Sequence, residues 1–108
     1  RREVRNNNSS EILQFGPLAI DKTKEELRIA DIHIPTTKRE FQLILLLSSN
    51  SNRTFSNDEL FDYLYPHNSE TQGISITEYV YQIRQKLKPY DINPIKTIWG
   101  GGYQWITL

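Results

Sequence analysis

Apolar residues in the first third of the chain come in short segments: Ile12-Leu13-Gln14-Phe15, Leu18-Ala19-Ile20, Leu27-Arg28-Ile29 and Ile32-His33-Ile34. Turn residues such as Gly16-Pro17 separate them. Leu27 and Ile29, then Ile32 and Ile34, recur at a period of two, which gives a strand one buried face, and Ala30-Asp31 is short enough for a tight connection. Residues 11–35 are therefore expected to form a small antiparallel sheet of about four strands.

The period then changes. Thr37 with Glu40, Ser56 with Glu59 and Ser75 with Glu78 all fit the S/T-x-x-E capping box. In that box the cap hydroxyl takes a free N–H and the carboxylate reaches back to the cap's own. Each box opens an apolar-periodic stretch, so three helices are expected. The first, about 38–49, is apolar nearly all round through Phe41, Leu43, Ile44, Leu45, Leu46 and Leu47, and should be the central buried element. The second, about 57–65, buries Leu60, Phe61 and Leu64 and stops before Pro66, which disfavours helix at the residue preceding it. Between them, Arg53-Thr54-Phe55 can add one short strand.

The third helix, about 76–88, carries an inward stripe of Ile76, Val80, Ile83 and Leu87. Its opposite face holds Thr77, Glu78, Tyr81, Gln82, Arg84, Gln85 and Lys88. This mixture of hydrogen-bonding, aromatic and cationic groups differs from the Glu/Lys pairing of a merely solvated helix, although a plain solvent face is the simpler alternative. Beyond Pro89, residues 95–99 and 103–106 are β-prone and joined by Gly100-Gly101-Gly102, whose freedom at positive φ suits a tight hairpin flanked by Trp99 and Tyr103.

Composition narrows the function. A chain of 108 residues is one domain's worth, and 37% hydrophobic residues supply a core. There is no cysteine, which excludes a disulfide scaffold and thiolate metal sites. The longest apolar run, Leu43 to Leu47, is far short of the ~20 residues of a membrane span, and the Arg-rich start is unlike a signal peptide, so a cytoplasmic protein is expected. Residues 1–10 (RREVRNNNSS) have the composition of a linker, leaving 11–108 as the folded domain. Such a linker at the start is expected either to join an attached upstream partner or to be an ordinary frayed terminus.

Thirteen basic residues balance thirteen acidic ones. Residues 1–73 hold 9 basic and 11 acidic groups, and 74–108 hold 4 and 2, so the basic excess lies at the C-terminal end. His33 and His67 have no carboxylates at ligand spacing, so neither a metal nor acid–base work is expected of them. The triple glycine lacks the Lys-Ser/Thr of a phosphate-binding loop, and no serine sits in a nucleophile elbow. No catalytic residue, metal or cofactor is expected.

Four motifs in order, Thr37-x-x-Glu40-Phe41-x-Leu43-Ile44, Ser56-x-x-Glu59-Leu60, Val80-x-x-Ile83-Arg84-x-x-Leu87 and Ile95-x-Thr97-Ile98-x-Gly100-x-Gly102-Tyr103, closely resemble the C-terminal effector domain of the OmpR/PhoB family of two-component response regulators. The resemblance covers about 12–106, and its T-[IV]-x-G-x-G-Y ending is the most specific part. It implies an α+β fold, a winged helix-turn-helix with an N-terminal four-stranded antiparallel sheet, three helices and a C-terminal β-hairpin wing.

The function it implies is sequence-specific binding of double-stranded promoter DNA. The third helix would enter the major groove, where base edges display a donor and acceptor code, and the wing would touch the minor groove or backbone. It also implies RNA polymerase contact through the 66–74 loop, an absent receiver domain upstream, a cognate histidine kinase, and a homodimer on DNA from a fragment that is monomeric alone.

Carried over residue by residue, Arg84 matches a phosphate-contacting Arg. Thr97 and Tyr103 match wing-base residues near the backbone, and Tyr65 replaces an aromatic, usually Trp, that ends the second helix. Ser75, Thr77, Glu78, Tyr81, Gln82, Gln85 and Lys88 fall on or beside the DNA-facing side of the third helix. The chain departs from the family where Tyr81 and Gln82 stand in place of an Arg pair and Trp99 in place of a wing Arg. Fewer cations mean fewer counterions released and a shallower dependence on salt. Gln82 can read adenine in a bidentate way, and Tyr79 or Tyr81 can contact a thymine methyl or a phosphate, which favours an A/T-rich site. Glu78 can accept from cytosine or serve its capping box. Trp99 can fold back on its own domain or face the DNA. The alternative function is a winged helix turned to protein interaction, with weak or no DNA binding.

Overall fold

The computed structural model describes residues 11–66 and 75–106. The expected linker at 1–10, His67 and residues 67–74 of the loop expected to contact RNA polymerase lie outside the described residues.

Four strands, β1 (Ile12–Phe15), β2 (Leu18–Asp21), β3 (Glu26–Ile29) and β4 (Ile32–Ile34), form an antiparallel sheet in sequential order. The period of two holds in the register. Leu13, Ile20, Leu27 and Ile34 lie in one cross-strand row, and Phe15, Leu18, Ile29 and Ile32 in the next on the same face. Ala30 and Asp31 both take positive φ, at 48° and 70°. Two consecutive left-handed residues are what a two-residue hairpin requires to match strand twist.

Helices α1 (Lys38–Ser49), α2 (Asn57–Leu64) and α3 (Ile76–Leu87) follow. Thr37 and Ser56 complete their capping boxes: the Glu40 and Glu59 carboxylates accept the cap N–H at 2.9 and 2.8 Å. The third box is half made. Ser75 Oγ accepts the Glu78 N–H at 3.1 Å, but the Glu78 carboxylate does not return to Ser75. α3 also ends one residue earlier than expected: Lys88 starts a short 3-10 turn, Lys88–Tyr90, where Pro89 cannot donate the N–H that an α-helix needs.

As expected, α1 is central. Its Phe41, Leu43, Ile44 and Leu47 are buried, and it packs against both other helices. The C-terminal hairpin, β6 (Ile95–Ile98) and β7 (Gly102–Trp105), is joined by β5 (Thr54–Phe55) into a three-stranded sheet of order β5-β7-β6. Gly102 makes this possible. Its φ is +126°, and a Cβ there would lie 1.9 Å from the Phe55 carbonyl oxygen, so any side chain would push β5 off β7. Trp105 is fully buried against Phe15, with ring centroids 5.4 Å apart, and ties this sheet to the first one. Sequence reading overlooked Trp105; its alternation with Tyr103 across the outward Gln104 was the available signal.

Candidate nucleic-acid interface

α3 presents its surface according to a helical repeat of about 3.6 residues. Ile76, Val80, Ile83 and Leu87 are buried against the core. Tyr79 and Lys86, seven apart, share one flank; Thr77 and Arg84, also seven apart, share the other. Glu78, Gln82 and Gln85, at i, i+4 and i+7, face away from the core with Tyr81 beside them.

Both flanks are tied down. On the first, the Tyr79 hydroxyl hydrogen-bonds that of Tyr65 at the end of α2, and the Arg39 guanidinium lies 4.5 Å above the Tyr65 ring. Tyr65 also packs on Phe61, at 5.3 Å between centroids. Burial, then the hydrogen bond and charge of Tyr65, push the Tyr79 phenol up from 10.0 to about 12; Glu40 adds to this and Arg39 opposes it. In the last turn of α3, Lys86 Nζ bonds the buried Glu40 Oε1, the same oxygen that caps α1. Glu40 thus fixes the start of α1 and the end of α3 together.

The second flank is joined to the wing. Arg84 Nη2 donates to the Ile95 carbonyl and to Thr97 Oγ1, each at 2.8 Å. Its guanidinium lies 5.8 Å from the Tyr103 ring centre, and the Tyr103 hydroxyl reaches Thr77 Oγ1 at 3.5 Å. α3 and the C-terminal hairpin are therefore one braced unit. A cleft of about 340 Å³ opens between Ser56, Asn57 and Asp58 at the start of α2 and Thr97, Ile98 and Gly100–Gly102 of the wing.

Several expected site residues have other work. Arg84, expected on phosphate, spends Nη2 on the wing. Tyr103 is 7% exposed and supports the wing from beneath. Tyr65 is half-buried in the cluster with Arg39, Phe61 and Tyr79. Ser75 caps the helix. Thr77 is exposed beside the wing, and Lys88 lies exposed just past the end of α3. Thr97 is exposed and holds Arg84. Tyr81, at 55% exposed, and Gln85 are open to solvent, while Gln82 donates to Glu78 Oε2 at 2.9 Å.

Trp99 does not fold back on the domain. It stands 97% exposed in the three-residue tip between Ile98 and Gly102. An indole so placed loses the apolar burial that the buried Trp105 enjoys, so its position is set by the turn and not by packing. The sequence reading also passed over Lys96, an exposed cation on β6 beside Thr97, and the Lys86–Glu40 pair, which only the tertiary fold brings together.

Among the described residues, no group of three or more His, Cys, Asp or Glu could hold a metal ion, and no helix is long and apolar enough to cross a membrane. His33 lies exposed on β4.

Residues 31–105 match the family model described as "Transcriptional regulatory protein, C terminal". The chain is 39% identical over 110 residues to the nisin biosynthesis regulatory protein NisR of Lactococcus lactis subsp. lactis, covering 97% of this chain and 48% of that protein. It is 33% identical over 105 residues to the transcriptional regulatory protein SpaR of Bacillus subtilis, covering 97% and 47%. The chain thus spans about half the length of the curated relatives it matches.

Its fold is similar to the Klebsiella pneumoniae RstA DNA-binding domain solved in complex with the RstA box, with a TM-score of 0.76, 19% identity and coverage of 89% of this chain and 97% of that one. The C-terminal effector domain of BfmR from Acinetobacter baumannii gives a TM-score of 0.75 at 27% identity, covering 98% and 94%. The family is one of transcription regulators and not an enzyme class. With its sheet, capped helices and glycine-framed wing all in the order its motifs announced, the chain belongs to the C-terminal effector domains of OmpR/PhoB-type response regulators.

Proposed function

We propose that this chain binds duplex DNA sequence-specifically and controls transcription as the effector half of a two-component response regulator. The observation that carries the proposal is the bracing of α3 on both flanks. It leaves one polar face, Glu78, Tyr81, Gln82 and Gln85, free to enter a major groove beside a wing that ends in Trp99. A helix of this width fits the groove, and a rigid mount lets base contacts discriminate.

In this reading Thr77, Lys88 and Lys96 meet the backbone, and Trp99 replaces a cation at the minor-groove edge. Ser75, Tyr65, Thr97, Tyr103 and Arg84 act on DNA through the placement of helix and wing. A receiver domain joined through residues 1–10, a histidine kinase that phosphorylates it, pairing of two copies on DNA, polymerase contact through 66–74 and a cytoplasmic location complete the proposal.

The test is a titration against duplex DNA at low and moderate salt. Groove binding releases counterions, so affinity should fall as salt rises, with a shallow slope because few cations face outward. Absence of duplex binding at low salt would overturn the proposal and leave the winged helix as a protein-interaction module.

A further inference from the structure

We infer that Glu78 is the positioning residue that sets Gln82 to read adenine; the inference rests on the DNA-binding reading above.

Glu78 Oε2 accepts from Gln82 Nε2 at 2.9 Å across one turn of α3. In a complete capping box the glutamate three residues past the cap accepts the cap's backbone N–H, as Glu40 and Glu59 do here. Glu78 is not: Ser75 serves the cap with its own hydroxyl, and the carboxylate is turned along the outer face toward Gln82. The helix start therefore gives up half of its box, and the carboxylate gained sits in the middle of the exposed face.

The chemistry of the pair makes that arrangement directional. A glutamine amide alone can rotate to show either its oxygen or its nitrogen to a base, and the two orientations read different base edges. An ionised carboxylate only accepts, so it tolerates the amide nitrogen beside it and repels the amide oxygen. Glu78 thus selects one of the two orientations. The Gln82 amide still keeps one N–H and its carbonyl oxygen. These are the donor and acceptor that adenine requires, N–H to N7 and oxygen from the N6 amino group. That bidentate contact uses the amide hydrogen lying beside the carbonyl, so the other can serve Glu78 at the same time. The negative charge also disfavours a turn of this face toward phosphate, which keeps the pair aimed at bases.

The other groups on the face fit this role. Tyr81 and Gln85 flank the pair without competing for it, since neither has a hydrogen bond to Glu78 or Gln82 among the described residues. The cations nearest the face, Arg84 and Lys86, are bound to the wing and to Glu40. Among the described residues, Glu78 has no salt bridge that would draw it away from Gln82.

The experiment compares the wild-type domain with Glu78→Ala, Glu78→Gln and Gln82→Ala. Each is first used to select bound sequences from a random duplex pool, then titrated against the selected duplex with adenine or 7-deazaadenine at the preferred position. The wild type should show an adenine at one position and lose about tenfold in affinity on 7-deazaadenine, which lacks the N7 acceptor. Gln82→Ala should be indifferent to the analogue. Glu78→Ala should lose most of the discrimination although Gln82 is intact. Glu78→Gln, whose amide can turn either its oxygen or its nitrogen toward Gln82 and so selects no single orientation, should lose most of it as well. All variants keep the backbone N–H that Ser75 caps, so their melting curves should superimpose; a variant that melts early is judged by affinity per folded molecule. Wild-type binding with adenine discrimination that survives Glu78→Ala would overturn the inference and leave the DNA-binding reading standing. No binding by the wild type would overturn the reading itself.

Discussion

Arg84→Ala separates a brace from a DNA contact. In the folded domain Arg84 Nη2 makes two hydrogen bonds of 2.8 Å, to a strand carbonyl and a threonine hydroxyl, and the guanidinium lies 5.8 Å from the Tyr103 ring. Charged hydrogen bonds are worth roughly 1.5–3 kcal/mol each when buried, but Thr97 is exposed and water replaces its bond at little cost. The Ile95 bond and the ring contact remain as the true loss, about 2 kcal/mol together. For a domain of this size that is a fall in Tm on the order of 10 °C. Thermal denaturation followed by circular dichroism reads it directly. A DNA titration of the same variant at several salt concentrations supplies the second arm. Because Nη2 is spent on the wing, affinity should drop through loss of wing placement, while the slope of log affinity against log salt stays near the wild-type value. Arg84→Lys should recover less than half of the melting loss, since an ammonium lacks the planar fork. If Arg84→Ala melts within about a degree of wild type and its salt slope falls by ~1, Arg84 is a phosphate contact and the brace is wrong.

Trp99→Ala should weaken duplex binding by ~1–3 kcal/mol, the scale of an aromatic contact with nucleic acid, and leave Tm unchanged because the indole is 97% exposed; a lower Tm with affinity per folded molecule intact would refute this. Gly102→Ala should destabilise by about 3 kcal/mol or more, since its Cβ would lie 1.9 Å from the Phe55 oxygen at a φ of +126°. Near-native melting would show that β5 yields freely. The Tyr79 phenol is raised from 10.0 to about 12 in the folded chain, so its neutral form is the one the fold holds. Its contribution is complete below pH ~10 and is lost as pH climbs toward ~12. The fall in denaturant midpoint over that window should therefore be shallower in Tyr79→Phe than in wild type, and equal falls would refute the half-buried pair with Tyr65.

Much of this architecture follows from local signals. The period of two in β1–β4 survives because each strand buries one face, and the two complete capping boxes mark helix starts because they depend on residues only three apart. Position within a helix also told which side of α3 looks outward. What escaped the sequence is pairwise and distant. Trp99 and Trp105 are chemically identical and six residues apart, yet one is open and the other sealed against Phe15, because Trp99 falls in the hairpin tip while Trp105 lies on β7, whose inward face packs on the core. Arg84 could not be seen to reach Thr97, nor Lys86 to reach Glu40, until the fold set them side by side. Glu78 escaped for the opposite reason: its motif promised a cap, and the local competition with Gln82 was won by the side chain one turn ahead.

Selection of bound duplexes from a random pool by the wild-type domain tests the central claim most directly. The account predicts enrichment of one motif containing an A/T-rich core, with binding that declines as salt rises and is lost at the enriched position in Gln82→Ala. Recovery of no motif, from a domain shown to be folded by its melting curve, would contradict it.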